Sequence, residues 1–166
     1  MDLVIIRHAI AEDRIKFARS GRPDAERPLT AEGRRKFKRS LKGLRRASPK
    51  VSVIATSPYA RAAETCRLAM RVFTKARVVT LPALRHRGDN RLVIRWLAGQ
   101  PRGAAAGIVG HEPDLSRLTA LLLGSGAPRV AYKKGGAALI TFAGRAAAGV
   151  GTLEWLLTPA LLRRLK

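Results

Sequence analysis

The sequence predicts an α/β fold, a three-layer α/β/α sandwich around a mostly parallel central sheet. Three observations predict it. Six short apolar runs recur along the chain, and segments with helical spacing lie between most of them. The first run, Leu3-Val4-Ile5-Ile6, is continuously apolar where a half-exposed strand would alternate, the mark of a strand covered on both faces. At 166 residues the chain fits one domain spanning residues 1–166. A chain of that length buries roughly 70% of the surface it would expose unfolded, without help from disulfides or a structural metal.

Taken in order, the strand candidates are residues 3–6, 51–55, 77–81, 105–109, 137–142 and 152–157. The first helix is expected over 31–47, with Thr30 as N-cap and Phe37, Leu41 and Leu44 on one side. Pro58 sits where a first helical turn tolerates proline, opening a helix over 59–73. Asp89 or Asn90 caps a helix over 91–97, and Pro113 opens a fourth to about residue 123, ended by Gly124. Residues 11–28 are polar, charged and without period. That stretch is longer than an ordinary connection, and such loops are often functional.

Composition narrows the function. Thirty-three Lys and Arg against eleven Asp and Glu give a net charge of +22, a field that attracts polyanions and acidic surfaces. The basic residues are scattered, with no tract of five or more, so they also read as arginines that solvate helix faces. Cys66 is the only cysteine, which excludes an internal disulfide and a zinc site of several thiolates. Its mid-helix place marks it as a packing residue. No apolar stretch approaches the roughly 20 residues of a membrane span, and no signal-peptide pattern opens the chain. A cytoplasmic protein with no membrane partner is the expectation.

In parallel α/β sheets, ligands bind beyond the carboxyl ends of the strands. Arg7-His8 follows the first strand. Thr56-Ser57-Pro58 follows the second, with Arg61 one turn into the helix. Gly110-His111-Glu112-Pro113 follows the fourth. Two histidines and two arginines therefore fall at three strand ends on one edge. Arginine offers a fixed fork of donors to phosphate oxygens, and a neutral imidazole can attack phosphorus and carry the group covalently. A second histidine, protonated, can donate to a non-bridging oxygen. His86, among the charges of Leu84-Arg85-His86-Arg87-Gly88, reads as exposed. Three scattered histidines and no carboxylate cluster give no metal-ligand spacing, and no phosphate loop of the Gly-x-x-x-x-Gly-Lys-Ser/Thr type is present.

Several segments carry a resemblance: Val4-Ile5-Ile6-Arg7-His8-Ala9, Arg27-Pro28-Leu29-Thr30-Ala31-Glu32-Gly33, Ser57-Pro58-Tyr59-Ala60-Arg61-Ala62-Ala63-Glu64-Thr65, Val109-Gly110-His111-Glu112-Pro113 and Leu156-Leu157-Thr158-Pro159. The chain resembles the histidine phosphatase superfamily, with its phosphoglycerate mutase-like fold, and within it the short SixA-type phosphohistidine phosphatases. The resemblance implies that His8 is the nucleophile and that Arg7, Arg61 and His111 surround the phosphoryl oxygens, with Ser57 in support. It implies no metal and no organic cofactor. In Leu81-Pro82-Ala83-Leu84 an alanine stands where many relatives have an acidic residue, and Asp89 and Glu12 are the nearest substitutes as general acid.

General acid catalysis is typically worth about 100- to 10,000-fold. Its loss biases the expected chemistry towards labile P–N bonds or aryl esters. The expected partner is a phosphorylated protein, since a chain without long insertions leaves an open site. The alternatives are a phosphatase of small phosphoesters or nucleotides, and a basic polyanion-binding module with little activity. With four Phe, two Trp and two Tyr, the chain is poor in base-stacking platforms, which weighs against the last.

Overall fold

The computed structural model describes residues 1–165. Six strands, β1 (Asp2–Arg7), β2 (Val53–Thr56), β3 (Arg77–Thr80), β4 (Ala105–Gly110), β5 (Ala137–Thr141) and β6 (Thr152–Leu157), form one sheet. Its order is β3-β2-β4-β1-β5-β6. The pairs β1–β4, β2–β4 and β2–β3 are parallel, whereas β5 runs antiparallel to both β1 and β6. All six expected strands are present, and the sheet is mostly parallel.

Six helices, α1 (Arg14–Ala18), α2 (Ala31–Ala47), α3 (Ala60–Ala69), α4 (Asn90–Ala98), α5 (Asp114–Leu122) and α6 (Pro159–Arg164), accompany the sheet. The alternation of β1 divides the core. Val4 and Ile6 pack with Phe37, Leu41, Ala62, Cys66 and Leu162 from α2, α3 and α6. Leu3 and Ile5 face the other way, onto Val93, Leu97, Leu115 and Leu118 from α4 and α5. None of these four β1 side chains reaches solvent. That two-sided burial is why the first apolar run shows no polar alternation.

The helix starts differ in detail from the expectation. Thr30 caps α2, accepting from Gly33 N at 2.9 Å. Pro58 lies outside α3, because Tyr59 is still extended at φ −69° and ψ 135° and serves as the N-cap. That helix stops at Ala69 instead of reaching residue 73, since the chain turns to bury Phe73 and Ala76 in the same layer. Pro113 likewise immediately precedes α5 and does not open it from within. The short helices α1 and α6 lack the several turns that make a helical period readable, and the sequence gives no sign of them.

One contact fixes α6 across α2. A Cβ built on Gly43 would lie 1.8 Å from the carbonyl oxygen of Leu162, so the two backbones touch where a side chain would stand. Alanine ordinarily gains about 1 kcal/mol over glycine inside a helix. Here overpacking, typically about 1–3 kcal/mol, outweighs that gain. Gly43→Ala is expected to lower Tm in thermal denaturation despite its better helix propensity.

Candidate active site

Backbone hydrogen bonds extend the sheet one residue beyond its strands. Arg7 pairs with Gly110 in the β1–β4 register, and His8 N then donates to Gly110 O at 3.1 Å. On the other side of β4, Ser57 N donates to Val109 O at 3.0 Å. The carboxyl ends of β1, β2 and β4 are thereby level, and a cavity of about 400 Å³ opens over them. Arg7, His8, Arg61 and His111 all line it, together with Glu12, Asp24, Arg27 and His86.

His8 is 6% exposed. Its Nδ1 lies 2.7 Å from the carbonyl oxygen of its neighbour Ala9. A carbonyl only accepts, so Nδ1 carries the proton and Nε2 keeps its lone pair. Burial is the largest influence on its basicity. Although the Ala9 carbonyl opposes the trend, burial and the charges of Arg61, Arg7 and Arg27 pull the pKa down to about 3. At neutral pH the ring is therefore an uncharged base with one defined free nitrogen. Ala9 is held in turn by Thr65, whose Oγ1 accepts from Ala9 N at 3.0 Å and donates to Arg61 O at 2.7 Å. One hydroxyl thus ties the strand end that carries His8 to the helix that carries Arg61.

Arg61 is 4% exposed and its outer nitrogens grip a single residue. Nη1 donates to Asp24 O at 2.8 Å and Nη2 to Asp24 Oδ2 at 3.0 Å. Arg27 Nε donates to the other oxygen, Asp24 Oδ1, at 2.8 Å, and Arg27 Nη1 reaches Glu12 O at 2.7 Å. Asp24 therefore sits between two guanidinium groups and holds both at the cavity wall. Arg7 donates from Nη1 to Tyr132 O, and Tyr132 N donates to Glu112 Oε1 at 2.7 Å. The Nε atoms of Arg7 and Arg61 are buried with no hydrogen-bond partner among the described residues.

His111 stands with its ring centroid 5.1 Å from that of His8. Its Nε2 is 2.8 Å from Ser57 Oγ, and Tyr59 N donates to the same oxygen at 3.3 Å. His111 is the hydroxyl's acceptor among the described residues, so Ser57 donates to Nε2 and the imidazole proton sits on Nδ1. That atom is buried and has no partner among the described residues. Burial first, then the proximity of His8 and Arg61, lowers the His111 pKa to about 2.

Two expected site residues lie elsewhere. Ser57 is fully buried and stands behind His111, outside the cavity lining, so it orients the imidazole and does not face a ligand. Asp89 is the N-cap of α4, accepting from Arg91 N at 2.8 Å, and it is not part of the wall. That carboxylate serves the helix terminus and does not line the cavity. Glu12 does line the cavity.

Asp24 and Arg27 were missed, because the 11–28 segment has no period to place them. The structure folds that segment with a short helix and a 3-10 turn over Asp24–Glu26. Its two ends are pinned by the bridge between Ala11 and Leu29. His86, read as exposed, is on the cavity wall with its side chain one-third accessible. Among the described residues no group of His, Cys, Asp and Glu has the geometry of a metal site, and no helix is long and apolar enough to cross a membrane.

The family model for the histidine phosphatase superfamily, branch 1, matches residues 3–92. The chain belongs to this superfamily. No curated protein matches it. Among solved structures it is similar to the protein histidine phosphatase SixA complexed with tungstate, at 24% identity and a TM-score of 0.80, covering 96% of this chain and 98% of that one. A structure described as phosphohistidine phosphatase SixA from Agrobacterium tumefaciens is 21% identical with a TM-score of 0.74, covering 95% and 97%. The alpha-ribazole phosphatase from Shigella flexneri is 21% identical with a TM-score of 0.68, covering 96% and 97%. At these identities the likeness is one of fold.

The buried histidines make stability depend on pH in a definite direction. In the unfolded chain both take up protons below about pH 6.5, while in the folded chain His8 does so only near 3 and His111 near 2. Their contribution is complete above pH 6.5 and is lost as the pH falls towards 3. Wild-type Tm is expected to drop more steeply between pH 7 and 4.5 than that of His8→Asn. Thermal melts across that range test it, and equal slopes would contradict a neutral buried His8.

Proposed function

We propose that this histidine phosphatase removes phosphoryl groups through a phosphohistidine intermediate on His8 and that protein phosphohistidine is its substrate. The observation that carries the mechanism is the state of His8. It is a neutral imidazole whose proton is fixed on Nδ1, with its free Nε2 in a cavity walled by Arg7, Arg27 and Arg61. In the first step Nε2 attacks phosphorus in line. A bond forms from Nε2 to phosphorus, and the bond to the leaving imidazole breaks. In the second step water attacks the phosphoryl group on His8, releasing inorganic phosphate.

The charge that spreads over the equatorial oxygens is met by the arginines and by the Nδ1–H of His111. Fixed donors of this kind act without reorganising during the reaction. Asp24 supports them at a distance from the phosphorus by holding Arg61 and Arg27 in place. Two observations favour a protein substrate. The fold is similar along nearly its whole length to SixA structures, and Arg14, Arg27 and Lys134 line the cavity as cations that an acidic phosphoprotein surface would meet.

A second reading, a phosphatase of small phosphoesters, draws on the similarity to the alpha-ribazole phosphatase. The rate ratio separates the two. Phosphate release is to be measured on a histidine-phosphorylated protein and on an alkyl phosphate, with wild type and variants. His8→Ala is expected to abolish turnover, and Arg61→Ala to lower kcat about 100-fold or more, the usual loss of a transition-state donor. The phosphohistidine protein is expected to be the faster substrate. A faster alkyl ester would transfer the assignment to small esters, and full activity in His8→Ala would sink the mechanism.

A further inference from the structure

Phosphoryl transfer to His8 leaves a proton to be supplied to the departing atom. The carboxylates around the cavity are mostly engaged. Asp24 holds Arg61 and Arg27, Asp13 caps α1 through Ile15 N and Lys16 N, and Glu112 accepts from Ser116 and Tyr132. Besides His8 and His111, the other acid–base groups on the wall are Glu12, His86 and Lys134. Glu12 is exposed, whereas His86 is held in a fixed orientation by a carboxylate of the fold.

His86 is built into such a pair. Its Nδ1 lies 3.3 Å from Oδ2 of Asp114, whose side chain is only 10% exposed. The same Oδ2 accepts from Arg87 N at 2.9 Å, and Asn90 Nδ2 donates to Asp114 O at 3.1 Å. The turn that presents the ring is tightly wound. Arg87 has a φ of 59°, a left-handed conformation unusual for a residue with a side chain. A Cβ on Gly88 would stand 2.0 Å from Ala83 O. Backbone of this kind is held only where its surroundings determine it, and it clusters at functional sites. With Nδ1 turned to Asp114, Nε2 is the nitrogen available to the cavity that His86 lines. The site is shared with His111, on whose basicity the charge of His86 weighs.

Building on the nucleophilic role of His8, we propose that His86, oriented by Asp114, is the general acid that protonates the leaving group. As Nε2 of His8 bonds to phosphorus, the bond from phosphorus to the leaving oxygen or nitrogen breaks and Nε2–H of His86 passes its proton to that atom. In the second step the neutral His86 takes a proton from the attacking water as the phosphorus–His8 bond breaks, which restores the starting state. Asp114 is a positioning residue and touches no reacting atom. This role gives the enzyme reach beyond labile leaving groups.

The test is the dependence of rate on leaving group. Phosphate release by wild type, His86→Asn and Glu12→Gln is measured with 2,4-dinitrophenyl phosphate, whose leaving group needs no proton, and with phenyl phosphate, whose leaving group does. Read as kcat/KM, which reports the first step alone, His86→Asn is expected to keep the dinitrophenyl ester within about twofold and to lose about 100-fold on the phenyl ester. The retained rate shows in the same protein that the fold and His8 are intact. Asp114→Asn should give the same selective loss, smaller in size. An equal effect of His86→Asn on both esters, or a selective loss in Glu12→Gln instead, overturns the assignment. Should wild type release phosphate from neither ester nor from a phosphohistidine protein, the nucleophilic reading of His8 fails and this inference falls with it.

Discussion

The site depends on the parallel pairing of β1 with β4 and of β4 with β2, continued one peptide past the strand ends. The amides of His8 and Ser57 donate to successive carbonyls of β4, at Gly110 and Val109. A shift of one residue in either pair would turn every inward side chain to the opposite face. Such a slip would exchange Leu3 and Ile5 with Val4 and Ile6 between two core layers packed to fit them. The packing that forms the sheet thus also sets His8 beside His111. Thr65 then fastens α3 to the same edge, so the arginine on that helix inherits the precision of the sheet.

On that frame the electrostatics have a simple logic. The chain carries +22, and the cavity concentrates guanidinium groups over a base that burial keeps neutral. Repulsion among the arginines is relieved by Asp24 between two of them, and Glu112 secures the loop against which Arg7 rests. The acids of the wall therefore mainly hold cations in position, so that in the proposed mechanism a phosphoryl dianion meets donors that are already placed. The same cations that would attract an acidic surface also depress the basicity of His8. In the proposed mechanism, attraction of the substrate and readiness of His8 follow from one arrangement.

Much of this was legible in the sequence. Continuous apolar runs located the six strands, Thr30 marked the start of α2, and the residues after three strands brought Arg7, His8, Arg61 and His111 to one place. What stayed hidden depends on contacts between distant segments. Asp24 and Arg27 lie in a stretch without period, and their position is fixed only by hydrogen bonds to Arg61 and Glu12. His86 looked exposed among neighbouring charges because its partner, Asp114, is brought to it by the fold. Ser57 and Asp89 carried side chains suited to a site, yet the structure uses them to orient His111 and to cap α4. A polar residue near a strand end has several tasks open to it, and its neighbours in space decide among them.

In the proposed mechanism Nε2 of His8 carries the phosphoryl group during turnover. Rapid quenching of wild type during turnover of an aryl phosphate, followed by proteolysis and mass spectrometry under alkaline conditions, tests it most directly. The account predicts an acid-labile, base-stable phosphoryl group on the peptide containing His8, formed at the rate of the first step and absent in His8→Ala. Steady turnover with no label on His8, or with the label on another residue, would contradict it.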